Sequence, residues 1–297
     1  MKKFVIITDS CCDLNKELRD KYDIDYIPMH ISCEGKEYEA NLDWAEISVK
    51  DFYETMRQGK RFMTAQITSA QYKEKFESYL KQGYDVLSIS CSSALSNSFK
   101  TSYLVRDELL ETYPDSKIVC LDSINACMGL GLLSIRASEL RAEGKTIEET
   151  AEWIMQNRKA VNQECTVESL KFLKMAGRVS AASAFFGGLL SVKPIIISDV
   201  NGQNAAVEKV KGRSNSIKRL AERVKEEFID LEYQHIFVLD ADCEQDANVL
   251  VEEVKKVLPE GIEIGRGTIG PIIGATTGPG TLAVYLFGKT VEFDSKK

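Results

Sequence analysis

Histidine is almost missing from this sequence: of 297 residues, only His30 and His235 are histidine. Both fall in strand-like runs, 26–32 and 235–239, where a strand-core histidine is expected. Neither is placed to reach a serine as a Ser-His-Asp triad requires. The eight cysteines form no Cys-x-x-Cys pair, so zinc-site spacing is absent and reduced, mostly buried thiols are expected. Apolar runs are only a few residues long, far short of the roughly 20 that a membrane-spanning helix needs. The first of them stops at Thr8-Asp9-Ser10, too soon for a signal-peptide core, which points to the cytoplasm. Positive charge is in deficit: 38 Lys and Arg against 45 Asp and Glu leave a net charge of −7. That balance argues against non-specific binding to nucleic acid or anionic membrane. No Gly-x-x-x-x-Gly-Lys-Ser/Thr loop occurs, and Gly129-x-Gly131 lacks the third glycine of a dinucleotide fingerprint. No cofactor and no resident metal are implied.

What is present suits a two-domain α/β protein. The runs 4–8, 86–89 and 118–121 are short and continuously apolar, as strands covered on both faces must be. Helices lie between them. Thr68-x-x-Gln71 and Thr146-x-x-Glu149 are capping boxes, and Ser96 is read as opening a further helix that ends before Pro114. Residues 1–160 are expected to form an α/β/α parallel-sheet domain. The rest, 161–297, reads as an α+β domain with a mixed or antiparallel sheet. There, 193–200 and 203–210 flank Asn201-Gly202, the signature of a hairpin with a type I′ turn. Helices are expected over 216–228 and 246–258, a strand over 235–239, and a Gly-rich stretch over 263–287 with strand character at both ends.

The chemistry gathers at the strand ends: Thr8-Asp9-Ser10, Ser90-Cys91-Ser92-Ser93 and Asp122-Ser123. In open parallel sheets, ligands bind beyond the carboxyl ends of the strands. Thr64 and Thr68 precede one helix and 96–98 open another, and helix N-termini favour anions. A hydroxyl-lined pocket for a carboxylate or phosphate follows, although caps and turns alone would also account for these residues. Asp9, Asp13 and Asp122 around a magnesium ion would instead suit a phosphotransferase or hydrolase acting on a small substrate through Asp9, Asp122 and the hydroxyl cluster. The tail from Gly270 to Gly280 carries Thr276 and Thr277 and is read as tight turns that let backbone approach a ligand closely. Arg178, after Gly177, is an isolated cation that fits either a solvated surface or a phosphate contact.

Several segments in order resemble the DegV family of bacterial fatty-acid-binding proteins. They are Thr8-Asp9-Ser10 with Asp13-Leu14, Thr64-Ala-Gln-Ile-Thr68, Ser92-Ser-Ala-Leu-Ser96, and Asp122-Ser123 with Met128-Gly129-x-Gly131. Gly177-Arg178-Val-Ser180, Lys193-Pro194 and Gly278-Pro-Gly-Thr281 complete the set, so the resemblance spans essentially the whole chain. It implies a long-chain fatty acid bound between or beside two domains, its carboxylate held by Thr64 and Ser96, with Ser93, Asn97, Thr276 and Thr277 nearby. It also implies a partner, an ATP-binding kinase subunit similar to dihydroxyacetone kinase, with Arg178 helping to engage either that kinase or the acyl phosphate. The sequence departs from the family at two places. Thr276 stands where the family often has a histidine, and Asn97-Ser98 replaces Gly-Thr. A threonine can donate a hydrogen bond but cannot become a cation.

Overall fold

The computed structural model describes residues 3–180 and 191–297. Three sheets organise it. The first is parallel, in the order β2-β1-β6-β7, built from β1 (Phe4–Asp9), β2 (Ile24–Ile27), β6 (Asp85–Ser90) and β7 (Ile118–Asp122). Every residue of β6 is buried, the consequence of helices on both faces. Those helices are α1 (Lys16–Tyr22), α3 (Ser69–Leu80), α4 (Ser98–Thr112), α5 (Met128–Ala142) and α6 (Ile147–Asn157). A three-stranded antiparallel sheet unforeseen in the sequence, β4-β3-β5, sits beside them: β3 (His30–Cys33), β4 (Lys36–Glu39) and β5 (Met63–Ala65), with α2 (Val49–Arg57) between β4 and β5.

The third sheet is mixed and six-stranded, in the order β10-β9-β8-β13-β11-β12. Its strands are β8 (Val161–Thr166), β9 (Val192–Ser198), β10 (Asn204–Lys211), β11 (Ile236–Asp240), β12 (Ile264–Thr268) and β13 (Leu282–Phe287). Helices α8 (Arg213–Glu227) and α9 (Glu244–Val257) cover one face over a core of their own, around Leu220, Val224, Val238 and Leu250. The other face turns inward. There Cys165, Ile196, Ala283 and Tyr285 join the core that also holds Ile6, Leu87 and Leu130. The short helices α7 (Lys171–Ala176) and α10 (Pro271–Thr277) pack on each other at this junction.

Helix α5 joins the two halves. Buried residues run along it from Met128 to Leu140 on nearly every side, as in a helix enclosed between layers, and its charged residues, Arg136, Glu139 and Arg141, fall in its C-terminal half. Its Gly129-x-Gly131 serves packing. A Cβ on Gly131 would sit 2.8 Å from the Cys12 carbonyl oxygen, so glycine lets α5 press against the turn that follows β1.

Local chemistry explains the other departures from expectation. Both capping boxes form, at Thr68 with Gln71 and at Thr146 with Glu149. α4 starts at Ser98 rather than Ser96, with Asn97 in the cap position. The hairpin after β9 is not type I′: Gly202 has φ 76° but Asn201 is not in the left-handed region. The Gly202 N–H donates to the Asp199 carbonyl (2.9 Å), a type I geometry followed by a left-handed glycine. The Gly-rich tail is not all turns. Pro271 takes the first position of α10, where its missing N–H costs nothing, and Gly278 (φ 87°) ends the helix. His30 lies in β3 beside Gln71. His235 precedes β11 and places Nε2 2.7 Å from Glu139 Oε1.

Candidate functional site

A cavity of about 400 Å³ opens where the ends of the parallel strands meet β5, α7, α10 and the inner face of the large sheet. That size is ordinary for a small-molecule site. Thr64, Ser93, Ser96, Asn97, Thr276, Thr277 and Arg178 all line it. The topology brings them from five places. β3 holds β5 by backbone pairing and so carries Thr64, opposite Ile31. The loop after β6 carries Ser93 and Ser96, the start of α4 carries Asn97, α10 carries both threonines, and Arg178 follows α7.

Their hydrogen bonds differ. Ser93 donates its N–H and its hydroxyl to Asp122 (3.1 and 2.5 Å). Ser96 Oγ lies 2.9 Å from Ser98 Oγ and accepts the Ser98 N–H (3.2 Å). The side chains of Thr64 and Asn97 make no hydrogen bond among the described residues and are exposed at the mouth. Thr276 and Thr277 donate to Ile272 and Ile273 carbonyls one turn back (3.1 and 3.0 Å). Toward a ligand, they therefore present oxygen lone pairs. That is a weaker substitute for histidine than a free donor. Arg178 is exposed and donates to the carbonyls of Leu95 (2.9 Å) and Ala176 (2.7 Å).

Arg178 is also the sole ionised side chain among the described residues that line the cavity. No Asp, Glu or Lys joins it there. The four lining thiols, Cys11, Cys91, Cys127 and Cys165, have their pKa raised and stay neutral. Burial raises Cys127 and takes Cys165 to about 12, and the neighbouring Cys91 thiol raises Cys11. The N-terminus of the 15-residue α4, where Asn97 makes no side-chain cap, adds a partial positive charge at the same mouth. Depth brings a change of chemistry: Cys11, Met29, Cys91, Ile196 and Ile269 are each no more than 2% exposed.

The carboxylates of the metal-dependent reading lie elsewhere. Asp9 accepts the N–H groups of Cys11 (2.9 Å) and Cys91 (2.7 Å), tying β1 to the loop after β6. Asp122 accepts those of Ser93 and Ile124. Neither lines the cavity. Among the described residues, no group of three or more His, Cys, Asp and Glu is arranged to hold a metal ion. Burial raises Asp9 to about 6 and Asp13 to about 7.

Sequence reasoning missed three buried or half-buried polar residues in the cavity wall: Gln163, Asn204 and Tyr285. A signal was there. β8 reads Val-Asn-Gln-Glu-Cys-Thr, polar at most positions, yet every residue of it is buried.

Comparisons with known proteins bear on the fold and the family. The model of a family described as "Uncharacterised protein, DegV family" matches residues 3–289. A DegV domain-containing protein of Clostridium perfringens is 39% identical over 98% of this chain and 100% of its own. The crystal structure of a DegV lipid binding protein from Thermotoga maritima superposes with a TM-score of 0.85 at 26% identity, covering 98% of this chain and 100% of that one. That of DegV, a fatty acid binding protein from Bacillus subtilis, gives 0.82 at 26% identity, covering 97% and 100%.

Proposed function

The chain belongs to the DegV family, and from that premise we propose that it binds a long-chain fatty acid, carboxylate at the cavity mouth and hydrocarbon within. The observation that carries this reading is the charge of the cavity, a single cation and no carboxylate among the described lining residues. An anionic head meets Arg178 and the α4 N-terminus without repulsion. Thr64 and Ser96 offer hydroxyls to orient it, with Ser93, Asn97, Thr276 and Thr277 around them. The lipid and fatty acid that the Thermotoga and Bacillus proteins bind supply the ligand class by likeness.

Affinity comes from the tail. About fourteen buried methylenes at roughly 0.8 kcal/mol each give an upper bound near 11 kcal/mol before association costs. The head-group hydrogen bonds add less and fix position. In this assignment residues 1–160 carry the head-group hydroxyls and 161–297 complete the acyl pocket. The protein is a cytoplasmic carrier rather than an enzyme. It presents the carboxylate to a separate ATP-binding subunit similar to dihydroxyacetone kinase. There a carboxylate oxygen attacks the γ-phosphorus of ATP, the bond to ADP breaks, and an acyl phosphate forms.

The test is extraction. Freshly purified protein is denatured and its organic extract identified by mass spectrometry, and the apo protein is then incubated with a fatty-acid mixture and extracted again. About one fatty acid per chain supports the carrier. Two blank extracts would overturn it. Acyl phosphate trapped with hydroxylamine, only when protein, kinase subunit and ATP are combined, would establish the hand-over.

A further inference from the structure

The inner wall of the cavity is not a hydrocarbon surface throughout. On β8, Gln163 pairs with Tyr285 of β13, and on the far side of β9, Asn204 pairs with Ser198. Gln163 Nε2 donates to Asn204 Oδ1 (3.1 Å), and the Tyr285 hydroxyl points at Gln163 Oε1 (3.4 Å). A polar row thus crosses the sheet face. Two residues further along the same strands, the row is apolar: Ile196 and Cys165 pair there, and Ala283 follows on β13. Gln163 and Tyr285 are 7% and 3% exposed, well inside the mouth where Thr64, Ser93 and Arg178 lie.

The hydrogen-bond count at this row is incomplete. An amide side chain has two N–H donors, and Gln163 spends one on Asn204. Its second has no acceptor among the described residues. The Tyr285 hydroxyl donates its proton to Gln163 Oε1 at the long end of the range, with the Cys127 sulfur a second partner in reach, and Cys127 itself donates to Asp13 Oδ2 (2.9 Å). One amide N–H and the free lone pairs of one hydroxyl therefore line the space an acyl chain would cross. A plain methylene leaves that N–H unanswered. A hydroxyl on the chain answers both, accepting from Gln163 and donating to the Tyr285 oxygen.

Resting on the fatty-acid reading above, we propose that the ligand class of this cavity is the hydroxylated long-chain fatty acids, the chain hydroxyl being held between Gln163 and Tyr285. A dry hydrocarbon channel rejects such a hydroxyl, because burying it without a partner is costly. This row removes that rejection at one position along the chain and leaves it at the others.

The experiment uses the delipidated full-length protein and displacement of a fluorescent fatty acid. Stearic acid is compared with hydroxystearic acids whose hydroxyl moves stepwise from the carboxyl to the methyl end. The expected result is one internal position that binds at least as tightly as stearic acid, with its neighbours weaker. Tyr285→Phe should weaken that isomer roughly five- to tenfold more than it weakens stearic acid. Gln163→Leu should do the same and tighten stearic acid. The wild-type scan needs no variant to fold. Every hydroxylated isomer binding about tenfold weaker than stearic acid would overturn the proposal. Equal weakening of stearic acid by Tyr285→Phe would overturn it too, by making the row a carboxylate site. Binding of no fatty acid at all would instead bring down the carrier reading beneath it.

Discussion

At the scale of single residues, hydroxyl position sets where the proposed head group would sit. Ser96 Oγ already accepts from the Ser98 N–H, so it is oriented before any ligand arrives. Ser96→Ala is expected to weaken fatty-acid binding by about two- to tenfold, the worth of one hydrogen bond exchanged with water. Titration calorimetry reads this directly. An unchanged affinity, with the head group unmoved in a ligand-bound crystal, would remove Ser96 from the head site. The buried carboxylates make a second residue-scale prediction. Burial lifts Asp9 to about 6, and lifts Asp13 and Glu164 to about 7, the last despite its Arg223 partner. Unfolded, each has a pKa near 4. Between about pH 4 and 7 the native state therefore binds more protons than the unfolded chain, so stability falls as pH rises through that window and then levels off. Chemical denaturation at pH 5.5 and pH 8 should show the higher midpoint at the lower pH, and Asp13→Asn should flatten the difference. A midpoint rising from pH 5.5 to 8 would contradict the burial argument.

At the scale of elements, what the sequence made legible was whatever local chemistry decides alone. Two capping boxes started α3 and α6, and apolar runs without alternation marked β1, β6 and β7 as strands of a covered sheet. The hydroxyls at the strand ends, with the family motifs, named residues that share one cavity. Tertiary contact decided the rest. The Asn201-Gly202 turn departs from type I′ where it meets the other half of the molecule. The Ser92 hydroxyl donates to the Gly202 carbonyl, and a Cβ on Gly202 would meet Ser92 Oγ at 2.2 Å. The density of glycine and proline hid α10, because neither residue has helix propensity, although Pro at the start and Gly at the end are where helices accept them. Gln163 and Tyr285 escaped notice because their pairing joins strands more than a hundred residues apart. Gly131 gives the element-scale prediction. Alanine favours a helix, but here its methyl group would press on a backbone carbonyl that cannot step aside. Gly131→Ala should therefore destabilise by about 1–3 kcal/mol in urea unfolding. A stabilised variant would show that α5 is not held tight against the turn after β1.

At the scale of the whole molecule, the cavity exists because two differently built halves share one core. The parallel sheet supplies strand ends and a helix terminus, which are good at holding anions. The mixed sheet supplies a broad wall, one face under α8 and α9 and the other lining the cavity. The order of the chain adds something more. β13 follows every other described strand in sequence, yet it sits inside the large sheet, between β8 and β11. During synthesis the parallel sheet has all its strands once Asp122 has emerged, whereas the large sheet stays split until Leu282–Phe287 arrives. Tyr285 rides on that late strand. The cavity is consequently among the last parts to come into being on the ribosome, and a nascent chain has no such void until its neighbouring half has all its strands.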